Sequence, residues 1–287
     1  MYKAGDHYAV YLFYGNGKSE YTHEHCKLKY EDSALLSLMK NRQICSYQTD
    51  EKIQKRWEKE LLKYMQDKSA EQCDDMRKCF RAYGITPREY TLYGFENKTP
   101  AQRSKYLSLR TISALNENAD LNFDKKSLTD KNSVSASEMD EFAPETVATV
   151  RAVTVKSGDS VRLAFATINL TQKDNNKKLH FAGIDVEDGT ITSQIYRVSG
   201  ATRKKSKLQL EKTQLPSWNE LQRVTVNCAE KLDGIILGFD LSYTKNGWVI
   251  TNIAKKPSFV NLQLISKGLR LKVEEILGEK IDVKISL

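Results

Sequence analysis

The stretch from Gly234 to Ser258 holds the residues best suited to chemistry. Two strand-like runs flank a turn at Lys245-Asn246-Gly247, and a lone acid, Asp240, lies near the end of the first run. Because Mg²⁺ prefers carboxylate oxygens, the chemistry available to Asp240 depends on the residue that lies opposite it.

The length of the turn decides that partner. A two-residue Asn246-Gly247 loop would pair Asp240 with Ile253 and mix polar with apolar residues on both faces. A three-residue loop instead gives Gly247 the left-handed position of a bulged turn and sets Asp240 opposite Asn252. We predict this second register, because it segregates the side chains. One face then carries Phe239, Leu241, Tyr243, Val249, Thr251 and Ile253, and the other carries Asp240, Ser242 and Asn252, with Ile250 as an exception.

Composition indicates a folded, soluble protein. The 287 residues are 40% hydrophobic and 29% charged, and 45 basic against 37 acidic residues give a net charge of +8. This excess favours contact with phosphates or anionic surfaces, and it equally suits a merely soluble basic protein. The sequence has five cysteines without a repeating spacing and shows no signal peptide or membrane span, so we expect a cytoplasmic location with free thiols.

The N-terminal part reads as mainly helical after an opening hairpin. Tyr8–Tyr14 resembles a strand before a Gly-Asn-Gly turn, and helix-favouring residues dominate from Glu31 to Tyr83. Thr86-Pro87 and Thr99-Pro100 are start signals for two further helices, the second running to about Leu115.

A polar linker precedes a change to strand-rich sequence. We predict strands at Thr146–Val155, Val161–Leu170, His180–Val186 and Thr190–Val198. Ser217 and Glu220 form a capping-box pattern for a helix to Leu232, and a final helix should cover Phe259 to about Leu277. The fold class is therefore α+β, with a helical region at 1–120, a linker at 121–142 and a C-terminal domain with antiparallel sheet at 143–287.

Three other motifs each allow both a functional and a simpler interpretation. The run Gly15–Ser19 lacks the first glycine of a phosphate loop, so a hairpin turn is favoured. His23, His25 and Cys26 could bind a metal, but no second ligand pair with matching spacing is present. Arg203, Lys204, Lys205 and Lys207 form either a solvated basic run or a phosphate contact.

Several blocks occur in a characteristic order over roughly residues 80 to 275: Tyr83–Tyr90, Thr149–Thr154, Ala182–Gly189, Leu215–Trp218, Gly238–Asp240, Gly247 and Pro257. In their order and spacing these blocks resemble the sugar-transfer-associated ATP-grasp family of cell-surface polysaccharide biosynthesis. The resemblance implies an ATP-grasp-like fold and ATP with Mg²⁺ as cofactors. It also implies catalytic roles for Arg151, Asp240 and the position of Asn252, a metal-binding role for Asp240, and nucleotide contacts from Lys131, Arg203 and Lys204.

Two departures from the family bear on activity. The family has Glu at position 252 and Asn at position 254, whereas this chain has Asn252 and Ala254, so one carboxylate and one further oxygen ligand are lost. The long middle segment between its equivalents of Lys131 and Glu145 is reduced to thirteen residues. No glycine occurs from Phe95 to Ser157, although loops that bring backbone amides close to phosphates normally need it. Asn169 lies where the family tends to have Arg.

Three hypotheses follow. The first is a truncated or degenerate ATP-grasp protein without full ligase activity that serves binding or assembly, with nucleotide or polysaccharide-pathway proteins as partners. The second is an active carboxylate-amine ligase with an altered metal site. The third is a basic module for nucleic acid or anionic surfaces; net charge alone supports it, and we do not expect a nucleic-acid partner.

Overall fold

The computed structural model of the chain describes residues 68–117, 146–172 and 179–281, together with Tyr64, Ala119 and Met139. The predicted opening hairpin, the His23–Cys26 cluster and Lys131 lie outside these residues, as does the 121–142 linker except for Met139. The described residues fall into two compact units that divide between Arg103 and Ser104, and each is described by itself. None of the described helices is long and apolar enough to cross a membrane.

The described part of the first unit, from residue 68 to Arg103, consists of short helices. They are α1 (Ala70–Tyr83), α2 (Pro87–Tyr93), a 3-10 turn at Phe95–Asn97, and α3 (Pro100–Arg103). Thr86 caps α2 in a full capping box with Glu89, which confirms the start signal at Thr86-Pro87. The predicted helix from Thr99-Pro100 to Leu115 is not continuous, because α3 ends at Arg103.

Arg103 organises this unit. Its guanidinium donates to both carboxylate oxygens of Asp75, at 2.7 and 2.8 Å, and to the carbonyl oxygen of Phe95. It also donates to Sγ of Cys79 at 3.0 Å, while the Tyr90 hydroxyl donates to Asp75 at 2.5 Å.

The hydrogen bond from Arg103 holds the pKa of Asp75 below its ordinary value, and burial raises the pKa of Cys79 to about 11. Because the pKa of Asp75 is lowered on folding, its stabilisation is present above the ordinary Asp range and is lost as pH falls through the folded pKa.

Replacing Arg103 with Lys should destabilise the first unit although the charge is retained. A lysine cannot span Asp75, Phe95 and Cys79 at once, and we expect a loss of about 2 kcal/mol. Hydrogen exchange of peptides from α1 and α2 would measure the loss of protection. Lys78→Met breaks an exposed ion pair with Asp74 and is the matched control, expected to change little. Equal protection in the two variants would contradict the assigned role of Arg103.

The second unit is built on a seven-stranded antiparallel sheet in the order β5-β4-β3-β2-β1-β6-β7. The strands are β1 (Thr146–Ser157), β2 (Ser160–Gln172), β3 (Leu179–Ile184), β4 (Tyr196–Ser199), β5 (Thr202–Lys205), β6 (Ile236–Thr244) and β7 (Gly247–Ala254). The expected α+β class with an antiparallel sheet is thus confirmed. Two strand predictions need correction: the Thr190–Val198 run forms a strand only from Tyr196, and β5 was read as a basic run rather than a strand.

Four helices accompany the sheet: α4 (Leu109–Leu115), α5 (Trp218–Glu230), α6 (Val260–Ser266) and α7 (Arg270–Leu277). Successive strand residues face opposite sides, so Ala166 lies in the core with Trp218 of α5, whereas Phe165 packs against Phe259 beside α6. We call these two sides the α5 face and the α6–α7 face.

Two helix predictions need correction in this unit. The helix expected from Phe259 to Leu277 is broken between α6 and α7, where Gly268 has φ +104° and a Cβ would lie 2.6 Å from the carbonyl oxygen of Lys105. The α5 helix is confirmed, but its capping box does not form. Ser217 has φ +47°, and its side chain makes no capping hydrogen bond and lies 3.3 Å from the Tyr243 hydroxyl.

Asn116 ties the end of α4 to the sheet. This buried side chain accepts hydrogen bonds from the amides of Ile235 and Ile236 and donates to the carbonyl oxygens of Ile236 and Lys255. One amide group therefore holds the chain on either side of the β6–β7 hairpin.

Replacing Asn116 with Ala should lower the free energy of unfolding of the second unit by about 3 kcal/mol, because it leaves several buried backbone groups without partners. Urea denaturation followed by tryptophan fluorescence would measure the loss. Asn252→Ala, which removes an exposed amide, is the control and should cost less than about 1 kcal/mol. A similar loss in both variants would show that the Asn116 bonds are not decisive.

Candidate functional site

In the β6–β7 hairpin, Asp240 lies opposite the predicted partner, but the turn length and the strand pairing that bring the two together differ from the prediction. Asp240 lies opposite Asn252, which confirms the prediction. The loop is shorter than predicted: Thr244 pairs with Gly247, so only Lys245 and Asn246 form the turn. A bulge then adds one residue, Thr251, to β7, and this extra residue restores the register at Asp240.

The bulge also explains the one exception in the predicted pattern. Ile250 lies opposite Leu241 and therefore shares its apolar face, whereas Val249 lies opposite Ser242, on the other face from the one predicted. The Thr251 hydroxyl donates to the backbone carbonyl oxygen of Asp240 at 3.0 Å, so the extra residue is hydrogen-bonded to the strand it faces.

Arg151, Asp240 and Asn252 meet across three strands. The Arg151 guanidinium donates through Nε to Oδ1 of Asp240 and through Nη2 to Oδ2 at 2.8 Å. Nδ2 of Asn252 donates to the same Oδ2 at 3.0 Å. Thr167 lies opposite Arg151 on β2. We call Thr167, Arg151, Asp240 and Asn252 the polar row. It lies on the α6–α7 face of the sheet.

The ion pair in the polar row is half-buried and closely packed. The side chains of Arg151 and Asp240 are 24% and 21% exposed. On β6, Gly238 leaves room for Pro257, since a Cβ there would lie 2.6 Å from Cβ of Pro257 and 3.7 Å from Cδ of Arg151. Three residues from the blocks of the resemblance thus lie close to the Arg151 side chain: Gly238, Asp240 and Pro257.

These donors do not fit a magnesium ion at Asp240. Both carboxylate oxygens accept from a guanidinium, whose positive charge opposes a second cation, and Asn252 offers the carboxylate a donor rather than a ligand oxygen. Position 254 is an alanine opposite Gly238 and supplies no ligand. Within the described residues, no group of three or more His, Cys, Asp or Glu side chains could hold a metal ion.

Asn169 lies near the polar row on the same face. It is opposite Thr149 on β1, two residues from Arg151, and its Oδ1 is buried without a hydrogen-bond partner. A buried amide oxygen in this state favours a donor from a ligand or water.

Two of the three predicted nucleotide contacts lie away from Arg151 and Asp240, and the third, Lys131, is outside the described residues. Arg203 and Lys204 are on β5, four strands from β1, which corresponds to a separation of about 19 Å. Arg203 lies on the α6–α7 face and Lys204 on the opposite face.

The best-formed cavities lined by described residues of the second unit do not include Arg151, Asp240 or Asn252. A cavity of about 500 Å³ lies between the ends of α4 and α7 and the β1–β2 turn. A further cavity, of about 400 Å³, is lined by residues 194–195 and 206–211.

Sequence reasoning missed Thr251 and the strand character of β5. The signal for the bulge was present, because Ile250 did not fit the predicted face and one extra residue places it correctly. The signal for β5 was weaker: Gly200-Ala201 separates two short runs of strand-compatible length, but consecutive basic residues hide the alternation.

Comparison with protein-family models, with curated proteins and with solved structures finds no match to this chain. The function is therefore inferred from the residues themselves and from the resemblance that their motifs carry.

Breaking the Arg151–Asp240 pair from either side should cost nearly as much as breaking it from both. We expect a double-mutant cycle of Arg151→Met and Asp240→Asn to give a coupling energy of about 1–2 kcal/mol in urea denaturation. The control cycle combines Arg162→Met, at an exposed position of β2, with Asp240→Asn and should be additive. Additive effects in the first cycle would show that the pair does not stabilise the sheet.

Proposed function

We propose that this chain is an ATP-grasp-like protein of cell-surface polysaccharide biosynthesis that has lost the ligase reaction and retains a binding or assembly role. The observation that carries the proposal is the engagement of Asp240 by Arg151 and Asn252. The blocks of the resemblance around Arg151, Gly238–Asp240 and Pro257 supply neighbouring residues: Arg151 pairs with Asp240 across the sheet, and Pro257 lies beside Gly238.

The net charge of the polar row disfavours ligase activity. ATP-grasp chemistry needs Mg²⁺ to neutralise charge that develops on phosphate oxygens. A site with two acids and one arginine carries a net negative charge that attracts such a cation. With Asn252 in place of the second acid, the arginine balances the remaining carboxylate, and the local charge is zero.

The substitution also removes a cost of the metal-free protein. Two carboxylates on directly opposite residues repel each other unless a cation lies between them. An amide at position 252 replaces that repulsion with a hydrogen bond to Asp240. The polar row is thus self-sufficient without a metal.

We therefore expect millimolar ATP with Mg²⁺ to leave the melting temperature of the protein unchanged relative to Mg²⁺ alone, because a bound ligand would raise it. The paired variant Asn252→Glu/Ala254→Asn restores both lost oxygen ligands. It should be less stable without metal and should bind Mn²⁺, measured by electron paramagnetic resonance.

The matched control is Asn252→Gln/Ala254→Asn, which lengthens the side chain without adding charge and should gain no Mn²⁺ binding. A rise in melting temperature of the unsubstituted protein with ATP and Mg²⁺, abolished by Asp240→Asn, would instead support the active-ligase alternative.

A further inference from the structure

The β4–β5 hairpin carries charge of one sign only. From Gly189 to Leu210 there are five basic residues and no acid: Arg197, Arg203, Lys204, Lys205 and Lys207. The hairpin pairs with β3 through only His180 and Phe181, so its outer half extends beyond that strand. All four residues of β5 are exposed.

Within the hairpin two cations lie directly opposite each other. Arg197 pairs with Lys204 on the α5 face, and like charges in this arrangement destabilise a strand pair. Among the described residues, no ion pair joins an acid to Arg197, Lys204 or Lys205. A negatively charged occupant would remove this cost.

The fourth cation of the hairpin strands, Arg203, fixes β5 against α6. Its guanidinium lies over the Tyr196 ring at 4.6 Å from the centroid and donates to the carbonyl oxygen of Leu264 in α6 at 2.7 Å. Tyr196 in turn packs on Phe181 with ring centroids 6.3 Å apart. The edge strand is therefore fixed before any partner arrives, which lowers the entropy cost of binding.

Among the described strands, the pairing pattern leaves a row of backbone groups on β5 without a strand partner. Ser206 donates its amide to Ile195, and antiparallel pairs alternate, so Thr202 and Lys204 bond inward to β4. The amides and carbonyls of Arg203 and Lys205 then point outward from the sheet. An additional strand can bond to these groups.

We propose that the edge of β5 binds an acidic, extended segment of another protein as an eighth strand of the sheet. Two copies of β5 would place lysines against lysines, which disfavours self-pairing. The other sheet edge, β7, carries no charged residue, so it offers no complement to β5. This inference is independent of the proposed ATP-grasp ancestry.

The probe is a capped, fluorescently labelled peptide of alternating Glu and Thr, with its Lys and Thr counterpart as control. We expect the acidic peptide to bind the full chain in anisotropy titrations, with an affinity that falls as salt rises, and the basic peptide not to bind. Lys204→Glu should weaken binding by about tenfold. Lys245→Glu, at the exposed β6–β7 turn, is the charge-matched control and should leave binding unchanged.

A proline at position 205 separates strand addition from simple charge attraction. Lys205→Pro and Lys205→Thr both remove the charge, but only proline removes the outward amide while sparing the bonds to β4. We expect Lys205→Pro to bind about tenfold more weakly than Lys205→Thr, the worth of one to two backbone hydrogen bonds.

A second measurement does not depend on the folding of variants. Peptides N-methylated at every second residue along one edge should lose binding, whereas methylation of the opposite edge should leave it intact. Equal affinities for Lys205→Pro and Lys205→Thr, or insensitivity to methylation on either edge, would overturn the proposal. Heparin or an oligonucleotide bound tightly by the folded chain, with the acidic peptide unbound, would overturn it in favour of a polyanion site.

Discussion

The pairing of β1 with β6 is the constraint on which the second unit depends. Among the seven described strands, every other pair joins strands that follow each other in the sequence, whereas Arg151 and Asp240 lie 89 residues apart. Closing so long a segment costs chain entropy, so the contacts at this junction must offset it. The Arg151–Asp240 ion pair acts on the α6–α7 face, and Asn116 binds the start of β6 from outside the sheet. The candidate site is thus also part of what closes the fold.

This dual role means that the Arg151–Asp240 pair stabilises the sheet whether or not the polar row takes part in a reaction. A guanidinium and a carboxylate that hold two distant strands together cannot be lost singly without leaving a half-buried charge unpaired. Asn252 is under a different constraint, because it is exposed on an edge strand and makes one hydrogen bond to Asp240. A substitution at position 252 can therefore abolish a metal site while the sheet that carried it remains intact.

The parts of the fold that local chemistry determines could be predicted from the sequence. Thr86 and Glu89 supply both halves of a capping box, so the start of α2 was predictable. Side-chain segregation gave the right partner for Asp240, although the loop length behind that prediction was wrong and the unpredicted bulge at Thr251 restores the register. The failures arise where distant contacts decide. Gly268 breaks the final helix because the chain must pass close to Lys105, and Glu220 does not cap α5 because Ser217 takes a left-handed conformation beside Tyr243. Gly268 is itself compatible with a break, but the residues that decide the outcome, Lys105 and Tyr243, lie far away in the sequence.

The polar row and the β5 edge of the sheet differ in how their charges are balanced. At the polar row, charges of both signs meet on neighbouring strands and cancel, so the site has little attraction for an additional ion. At β5, cations gather on an edge strand without acidic partners among the described residues, and that charge can be balanced only from outside the described part of the chain. This difference agrees with the two proposals, because a neutral polar row has little attraction for a metal ion, whereas a basic edge strand favours an acidic partner. The physical distinction lies in charge balance: the guanidinium and the carboxylate neutralise each other in the polar row, whereas the cations of β5 are exposed and have no acidic partner among the described residues.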